Sequence, residues 1–335
     1  MTRNSASQVA VNGRFLSRRV TGVERYGREI LRFIGNSCQL ESTHRQGWMA
    51  HAWEQFILPA RLDRRSILWS PANTGPLLVR NQALTIHDLS PLEHPGWFQR
   101  NFAAWYGLFL PILAKQVQKI FTPSEYVKQK VIRRFGIENV TVTPNGVDHS
   151  IFHPDAQQKI DIPARYALFV GTLEPRKNLS LLLSTWNELR DEFKETWLVI
   201  VGVRGHVFKS VNLSHGMERV CFLGYVDDET LAGLYAQAAL LVLPSQDEGF
   251  GLPVLEAMAC GAPVVVSDAG ALPEVVGEAG IIFCLADRSG LSDALRTCLR
   301  DLNLRLALRE KGVERAKKFS WQTTAELVWK SLNEI

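Results

Sequence analysis

From residue 166 onward the chain alternates short, continuously apolar runs with longer stretches of helical character. YALFVG (166–171), TWLVIVG (196–202), VCFLGYV (220–226), ALLVLPS (239–245), PVVVSD (263–268) and AGIIF (279–283) are apolar at successive positions, as strands covered on both faces are. Between them LSLLLSTWNELRDEF, DDETLAGLYAQA, a segment from about Pro253 and a short one near LPEVVG predict helices. Strand and helix in alternation predict a parallel sheet with helices on both sides, a doubly wound α/β domain. The first half repeats the pattern less clearly, with QVAVNG, SILWSP, ALTIHD, KIFTPS and VTVTPNG as strands and no element assigned between Ile34 and Trp53. Polar, proline-bearing sequence from Asp148 to Pro163 predicts an interdomain connection, and two such domains facing each other would create a cleft.

Composition narrows the class. At 335 residues and 46% hydrophobic, the chain exceeds the usual single-domain size, so two domains are expected. The five cysteines are scattered and form no CxxC pair, which argues against a disulfide framework or a zinc site and for a reduced, cytoplasmic setting. The N-terminal MTRNSASQVAVNGRF has no continuous apolar core, and no run approaches ~18 apolar residues, so a signal peptide and a membrane span are not expected. Residues 1–150 carry 19 Lys/Arg against 10 Asp/Glu, net +9, while residues 151–335 carry 19 against 24, net −5. The basic half suits an anionic partner such as a membrane surface, giving peripheral attachment to the inner face of the cytoplasmic membrane; a solvated face is the alternative. Nucleic acid is not expected, because no recognised binding motif occurs.

Chemistry concentrates in DEGFGLPVLEAMACGAPV (247–264). In open α/β sheets, ligands bind beyond the carboxyl ends of strands, where helix N-termini offer unpaired N–H groups. Residues 246–252 follow an apolar run and so fall at such an end. Gly249 and Gly251 let backbone amides approach a ligand, and Pro253 suits the first helical position. Glu256 is then expected in the first helical turn, with Glu248 projecting from the loop before it. A carboxylate accepts two hydroxyl hydrogen bonds at once, so this pair suits a ligand with two polyhydroxylated parts, such as a ribose and a hexose. The alternative is a capping acid plus a surface acid. In VGTLEPRKNL, Arg176 and Lys177 stand just before a helix expected near Asn178, where adjacent cations suit a diphosphate; a solvated pair is the bland reading. No Asp-x-Asp, HExxH or clustered His/Cys set occurs, so no metal or other cofactor is expected. Leaving-group charge would fall to protein cations and amides.

EGFGLPVLE resembles the E-x7-E motif of retaining glycosyltransferase family 4, whose GT-B fold has two Rossmann-like doubly wound parallel-sheet domains facing across a cleft. TGVERYGREIL, SPANTGP, TIHDLSPLEHP, VTPNGVDHSIFHP, VGTLEPRKNL, FLGYVDDETLAGLYAQA and the terminal FSWQTTAELVWKSL resemble other segments of that family in its order. The resemblance covers nearly the whole chain. It implies an acceptor-side domain at 1–147, a linker at 148–163, a nucleotide-sugar domain at 164–318 and a C-terminal helix at 319–335 crossing back to the first domain.

By position, the resemblance implies that Glu256 holds the nucleotide ribose and Glu248 lies beside the transferred sugar. Gly249, Phe250, Gly251 and Leu252 would supply amides, Arg176 and Lys177 would bind the diphosphate, and the backbone around Tyr225 and Val226 would meet the base. Many relatives carry an arginine where this chain has Thr172, which places more of the phosphate on Arg176 and Lys177. Gly22 matches a glycine loop near the diphosphate or acceptor. His87 matches a histidine near the donor sugar, with Asp88 orienting it or its loop, and Asn145 shapes the hinge.

The activity so implied is metal-independent, retaining hexosyl transfer from a nucleotide diphosphate sugar to a glycan or lipid-linked acceptor. Similarity around TGVERY and SPANTGP inclines toward GDP-mannose and the assembly of exopolysaccharide or the O-antigen of lipopolysaccharide, with UDP-glucose the other donor. Rival readings are a nucleotide-sugar epimerase of the same architecture and a non-catalytic sugar-nucleotide-binding protein. An NAD-dependent oxidoreductase is poorer, since GFGLPV and VGVRGH do not complete G-x-G-x-x-G. The aromatic segment 96–121 is expected to pack in a core or cleft rather than on lipid, because Pro111 interrupts it, and the irregular region 35–65 leaves the acceptor site unassigned.

Overall fold

The computed structural model describes residues 9–18, 20–157, 160–203 and 218–335. The last three residues of VGVRGH, the segment set against the dinucleotide motif, and the first eight residues lie outside these. Among the described residues twelve strands run in chain order: β1 (Val9–Asn12), β2 (Gln39–Glu41), β3 (Ile67–Ser70), β4 (Gln82–Thr85), β5 (Lys119–Thr122), β6 (Val140–Val142), β7 (Tyr166–Val170), β8 (Trp197–Val201), β9 (Val220–Gly224), β10 (Leu240–Leu243), β11 (Val264–Ser267) and β12 (Ile281–Phe283). They form two six-stranded sheets, ordered β2-β1-β3-β4-β5-β6 and β12-β11-β10-β7-β8-β9, with every neighbouring pair parallel. The central strands are buried residue by residue, which is why their sequences read as unbroken apolar runs.

The chain divides into two compact units. One holds residues up to 93, 103–146 and 320–335; the other holds 94–102 and 147–319. Residues 148–163, read from sequence as a connection, therefore belong to the second unit. In the first unit the C-terminal helix Trp321–Asn333 packs on the helix Gly22–Ile34, and Trp321 meets Tyr26 edge-on with ring centroids 6.2 Å apart. Gly146 permits this return, since a Cβ there would lie 2.2 Å from the Trp321 nitrogen.

Two local readings change. The helix Arg100–Gln116 continues through Pro111. A buried face of Ala103, Tyr106, Leu110, Leu113 and Ala114 outweighs the one backbone hydrogen bond that proline removes. Between Ile34 and Trp53 the chain forms the edge strand β2 and a helix Gly47–Ala52, continued by a π-helical turn Trp53–Ile57 and Leu58–Arg61.

In the second sheet, chain progression reverses between β7 and β10, and in the first between β1 and β3. Crevices at such reversals lie outside the strands' carboxyl ends. Gly202, just past β8, has φ +148°, and a Cβ there would lie 1.9 Å from the Gly171 carbonyl oxygen beyond β7. Gly202→Ala is expected to cost about 1–3 kcal/mol through crowding and backbone strain, lowering the second unit's thermal midpoint by several degrees. Gly107→Ala, at a helical position with nothing within 4 Å of the added methyl, is expected to leave stability unchanged or raise it slightly in the same melting experiment.

Candidate active site

Two loops meet at the reversal in the second sheet. One follows β7 and carries Gly171 to Asn178; the other follows β10 and carries Pro244 to Gly251. Their backbones join where the Gln246 N–H donates to the Arg176 carbonyl, at 2.8 Å. The first loop closes as a 3-10 turn, Pro175–Lys177, and Asn178 takes a left-handed conformation, φ 54°, before the helix Leu179–Leu189. That turn aims Lys177 back over Gly171 toward the second loop.

The side chains complete the junction. Lys177 Nζ lies 2.5 Å from Glu248 Oε1, and Arg176 Nη1 lies 3.2 Å from Oε2. Ser245 Oγ donates to Glu248 Oε1 at 2.8 Å, and Arg176 Nη2 pairs with Glu174 Oε1 at 2.8 Å. Arg176 Nη1 also donates to the Asp247 carbonyl at 3.3 Å. Glu174, Lys177 and Glu248 are buried, at 1, 6 and 4% exposure. Two cations and two carboxylates thus form a formally neutral cluster with little access to water. Burial raises the Glu248 carboxyl, but Lys177 and Arg176 and the hydrogen bonds from Lys177 and Ser245 outweigh it and hold the group below its usual range. Burial is the larger influence on Glu174, whose carboxyl is pushed up despite Arg176 and Lys177.

Glu248 therefore does not project freely from its loop, as the sequence suggested; it folds back onto the two cations. Glu256 is also displaced. The helix runs Leu252–Ala259, with Pro253 in its second position, so Glu256 falls in the second turn, where it accepts a hydrogen bond from the Tyr235 hydroxyl at 3.2 Å. Glu248, Arg176 and Lys177 are brought together, and the placing hydrogen bond of Glu256 comes from elsewhere. Gly249, Phe250, Gly251 and Leu252 are all buried; Gly251 caps the helix at φ 102°, and Phe250 packs edge-on against Phe319. Thr172 is half-buried on the first loop, Tyr225 is 65% exposed after β9, and Val226 follows it.

Sequence reasoning passed over several participants. Glu174 stands inside VGTLEPRKNL, and its lone position gave no sign that it would pair with Arg176. Gly270, φ +66°, lies against the Glu248 backbone, where a Cβ would sit 2.4 Å from the nitrogen. The Ala271 N–H then donates to the Glu248 carbonyl at 2.9 Å, fixing the loop from a third strand end.

In the first unit, Gly22 is the exposed first residue of its helix, after Thr21, whose N–H donates to the Glu24 carboxylate at 3.2 Å. His87 is buried: its Nε2–H donates to the Pro71 carbonyl at 2.8 Å and its ring meets Tyr26 edge-on at 4.9 Å. Burial outweighs that hydrogen bond and lowers the His87 pKa, so the ring is neutral near pH 7. Asp88 turns inward on its own loop and accepts from the Ser90 N–H at 3.1 Å. Asn145 is buried.

At the β1/β3 reversal a further network appears that no motif announced. Glu54 Oε1 accepts from Asn12 Nδ2 at 2.7 Å, Arg14 Nε at 3.0 Å and Thr74 Oγ1 at 3.0 Å. His51, beside Arg14, is pushed down to about 4 by burial and then by that guanidinium.

The opposed shifts in the second unit give a test. A carboxyl depressed by folding contributes stability that is present above its unfolded value, 4.5, and lost as pH falls through the folded value. Glu174, raised by burial, works in the opposite sense. Glu248→Gln leaves buried Lys177 and half-buried Arg176 to one carboxylate and is expected to cost about 3–5 kcal/mol at neutral pH. The gap from wild type should narrow below pH 4.5, as denaturant unfolding at both pH values would show.

A family model described as glycosyl transferases group 1 matches residues 154–315, and one described as glycosyltransferase family 4 matches residues 65–151. The chain is 31% identical to O-antigen chain mannosyltransferase B of Escherichia coli over 83% of its own length and 74% of that protein's. It is 27% identical to an O-antigen chain mannosyltransferase of Salmonella typhimurium, over 63% of its own length and 59% of the relative's. Sucrose-phosphate synthase of Thermosynechococcus elongatus superimposes with a TM-score of 0.76 at 17% identity, covering 98% of each chain. The paired doubly wound sheets are the GT-B fold, and the chain belongs to glycosyltransferase family 4.

Proposed function

We propose that this protein transfers mannose from GDP-mannose to a glycan or lipid-linked saccharide during O-antigen or similar surface-polysaccharide assembly, with retention of configuration and without a metal. The observation that carries the reading is the buried Glu248–Lys177–Arg176 junction at the sheet reversal, where such folds take nucleotide ligands. The two mannosyltransferase relatives support the sugar.

Transfer breaks the anomeric C–O bond and builds negative charge on the departing diphosphate. Lys177 and Arg176 are placed to stabilise that charge, and they act strongly because little water competes with them. In the unliganded protein Glu248 and Glu174 already neutralise them. Donor phosphate oxygens would replace Glu248 on these cations, and the released carboxylate would turn to the hydroxyls of the sugar ring. Binding energy from the nucleotide would thus be used to separate a buried ion pair and to orient the hexose. In this reading the acceptor attacks from the face the diphosphate leaves, and the donor's own phosphate oxygen takes the acceptor proton, so no separate protein base is assigned. Glu256 would hold the ribose, the backbone at Tyr225 and Val226 the base, and Gly249 to Leu252 would give amides to phosphate and sugar. Thr172 would line the phosphate side.

Lys177→Ala is expected to lower transfer by about 10²-fold or more, in line with other removed electrostatic donors. Near-wild-type turnover in a folded variant would remove this account of leaving-group stabilisation. Glu256→Ala is expected chiefly to weaken donor binding, read by calorimetric titration of the nucleotide. A thermal-shift screen should favour GDP-mannose over UDP- and ADP-sugars; a larger shift with UDP-glucose would reassign the donor. Activity should survive EDTA, and loss restored by Mg²⁺ would overturn the metal-free reading.

A further inference from the structure

We propose that the first unit carries a docking surface for an anionic lipid bilayer, built on the helical run Gly47–Arg61 and the neighbouring stretch from Trp105 to Ile112. Large apolar side chains stand in solvent there: Trp48 is 68% exposed, Met49 64%, Phe56 73%, Leu108 63% and Ile112 42%. Ring contacts join the two stretches. Trp48 meets Trp105 edge-on with centroids 5.3 Å apart, and Trp105 stacks on Phe109 at 3.6 Å. Residues 105, 108, 109 and 112 share one helical face, and Trp48, Ala52 and Phe56 follow one another a turn apart.

This stripe is not a misplaced core. The opposite face of Gly47–Arg61 is already buried through Ala50, Trp53 and Leu58, with Glu54 tied to Arg14. The segment is therefore apolar on both sides, and beyond the Trp48–Trp105 contact its outer side chains stand in solvent. Isolated exposed hydrophobics need no explanation, but a contiguous aromatic patch with a polar rim marks an interaction surface.

Charge selects the partner. Between residues 44 and 65 the exposed cations are Arg45, Arg61, Arg64 and Arg65, while the exposed acid is Asp63. Arg61 shares some of its charge with Glu41, 3.5 Å away. From 103 to 119 there are Lys115 and Lys119 and no acid. A second copy of this chain would bring the same arginines face to face, and an anionic headgroup layer would neutralise them. Trp, Met and Phe tips with arginines at the rim match the depth profile of a bilayer interface, where indole and guanidinium groups sit at headgroup level. No helix among the described residues is long and apolar enough to cross a membrane, so the attachment is in-plane. The inference stands apart from the reaction proposed above.

The test is flotation of the full chain with vesicles of phosphatidylcholine alone or mixed with phosphatidylglycerol. Wild type should float with the anionic vesicles, release with added salt, and stay behind with neutral ones. Trp48→Ser with Phe56→Ser should reduce partition by about tenfold or more, and Arg64→Glu with Arg65→Glu should also lower it. Both variants should keep the wild-type melting temperature and nucleotide-induced thermal shift, which separates lost docking from lost folding or lost donor binding. Equal partition of wild type and the Trp48/Phe56 variant would overturn the proposal. So would sedimentation showing a wild-type dimer that this variant abolishes, since the patch would then belong to a second copy.

Discussion

The second unit depends on one buried carboxylate. Glu248 joins the loop after β10 to Lys177 and Arg176 on the loop after β7, seventy-odd residues earlier. Charges at this depth persist only when paired, so each side holds the other in place. The sheet order puts the two loops side by side, Gly270 leaves room for the Glu248 backbone, and the turn Pro175–Lys177 sets the direction of both cations. A site assembled this way is held together before any ligand arrives, and its two cations and two carboxylates carry no net formal charge.

The strands of both sheets were legible because parallel strands buried on both faces leave continuous apolar runs, and eleven of the twelve coincide with runs read from sequence. The exception, β2, is QLE at a sheet edge, too polar and short to stand out. The helical run Gly47–Arg61 was missed for a different reason: with apolar residues inside and outside, it lacks the one-sided period that reveals a helix. Pro111 misled in the opposite direction, since a single lost hydrogen bond does not end a helix whose face is well buried.

The candidate site was legible in its charges and less so in their use. Glu248, Arg176 and Lys177 announce themselves by spacing around glycines and strand ends. That they neutralise one another is a fact of three-dimensional distance, and Glu174, Ser245 and Gly270 enter only through it. Glu256 lies one turn further along its helix than its proline neighbour implied. The Asn12–Arg14–Glu54–Thr74 network joins residues from three separate segments and had no local signature at all.

The return of the helix Trp321–Asn333 to the first unit bears on synthesis. Tyr26 precedes Trp321 by 295 positions in the chain and waits for it before its ring is covered on that side. The second sheet needs only residues 166–283 to pair its strands. On a ribosome the unit made later can therefore close while the earlier one still lacks the helix Trp321–Asn333, an inversion of the usual N-to-C order of domain completion.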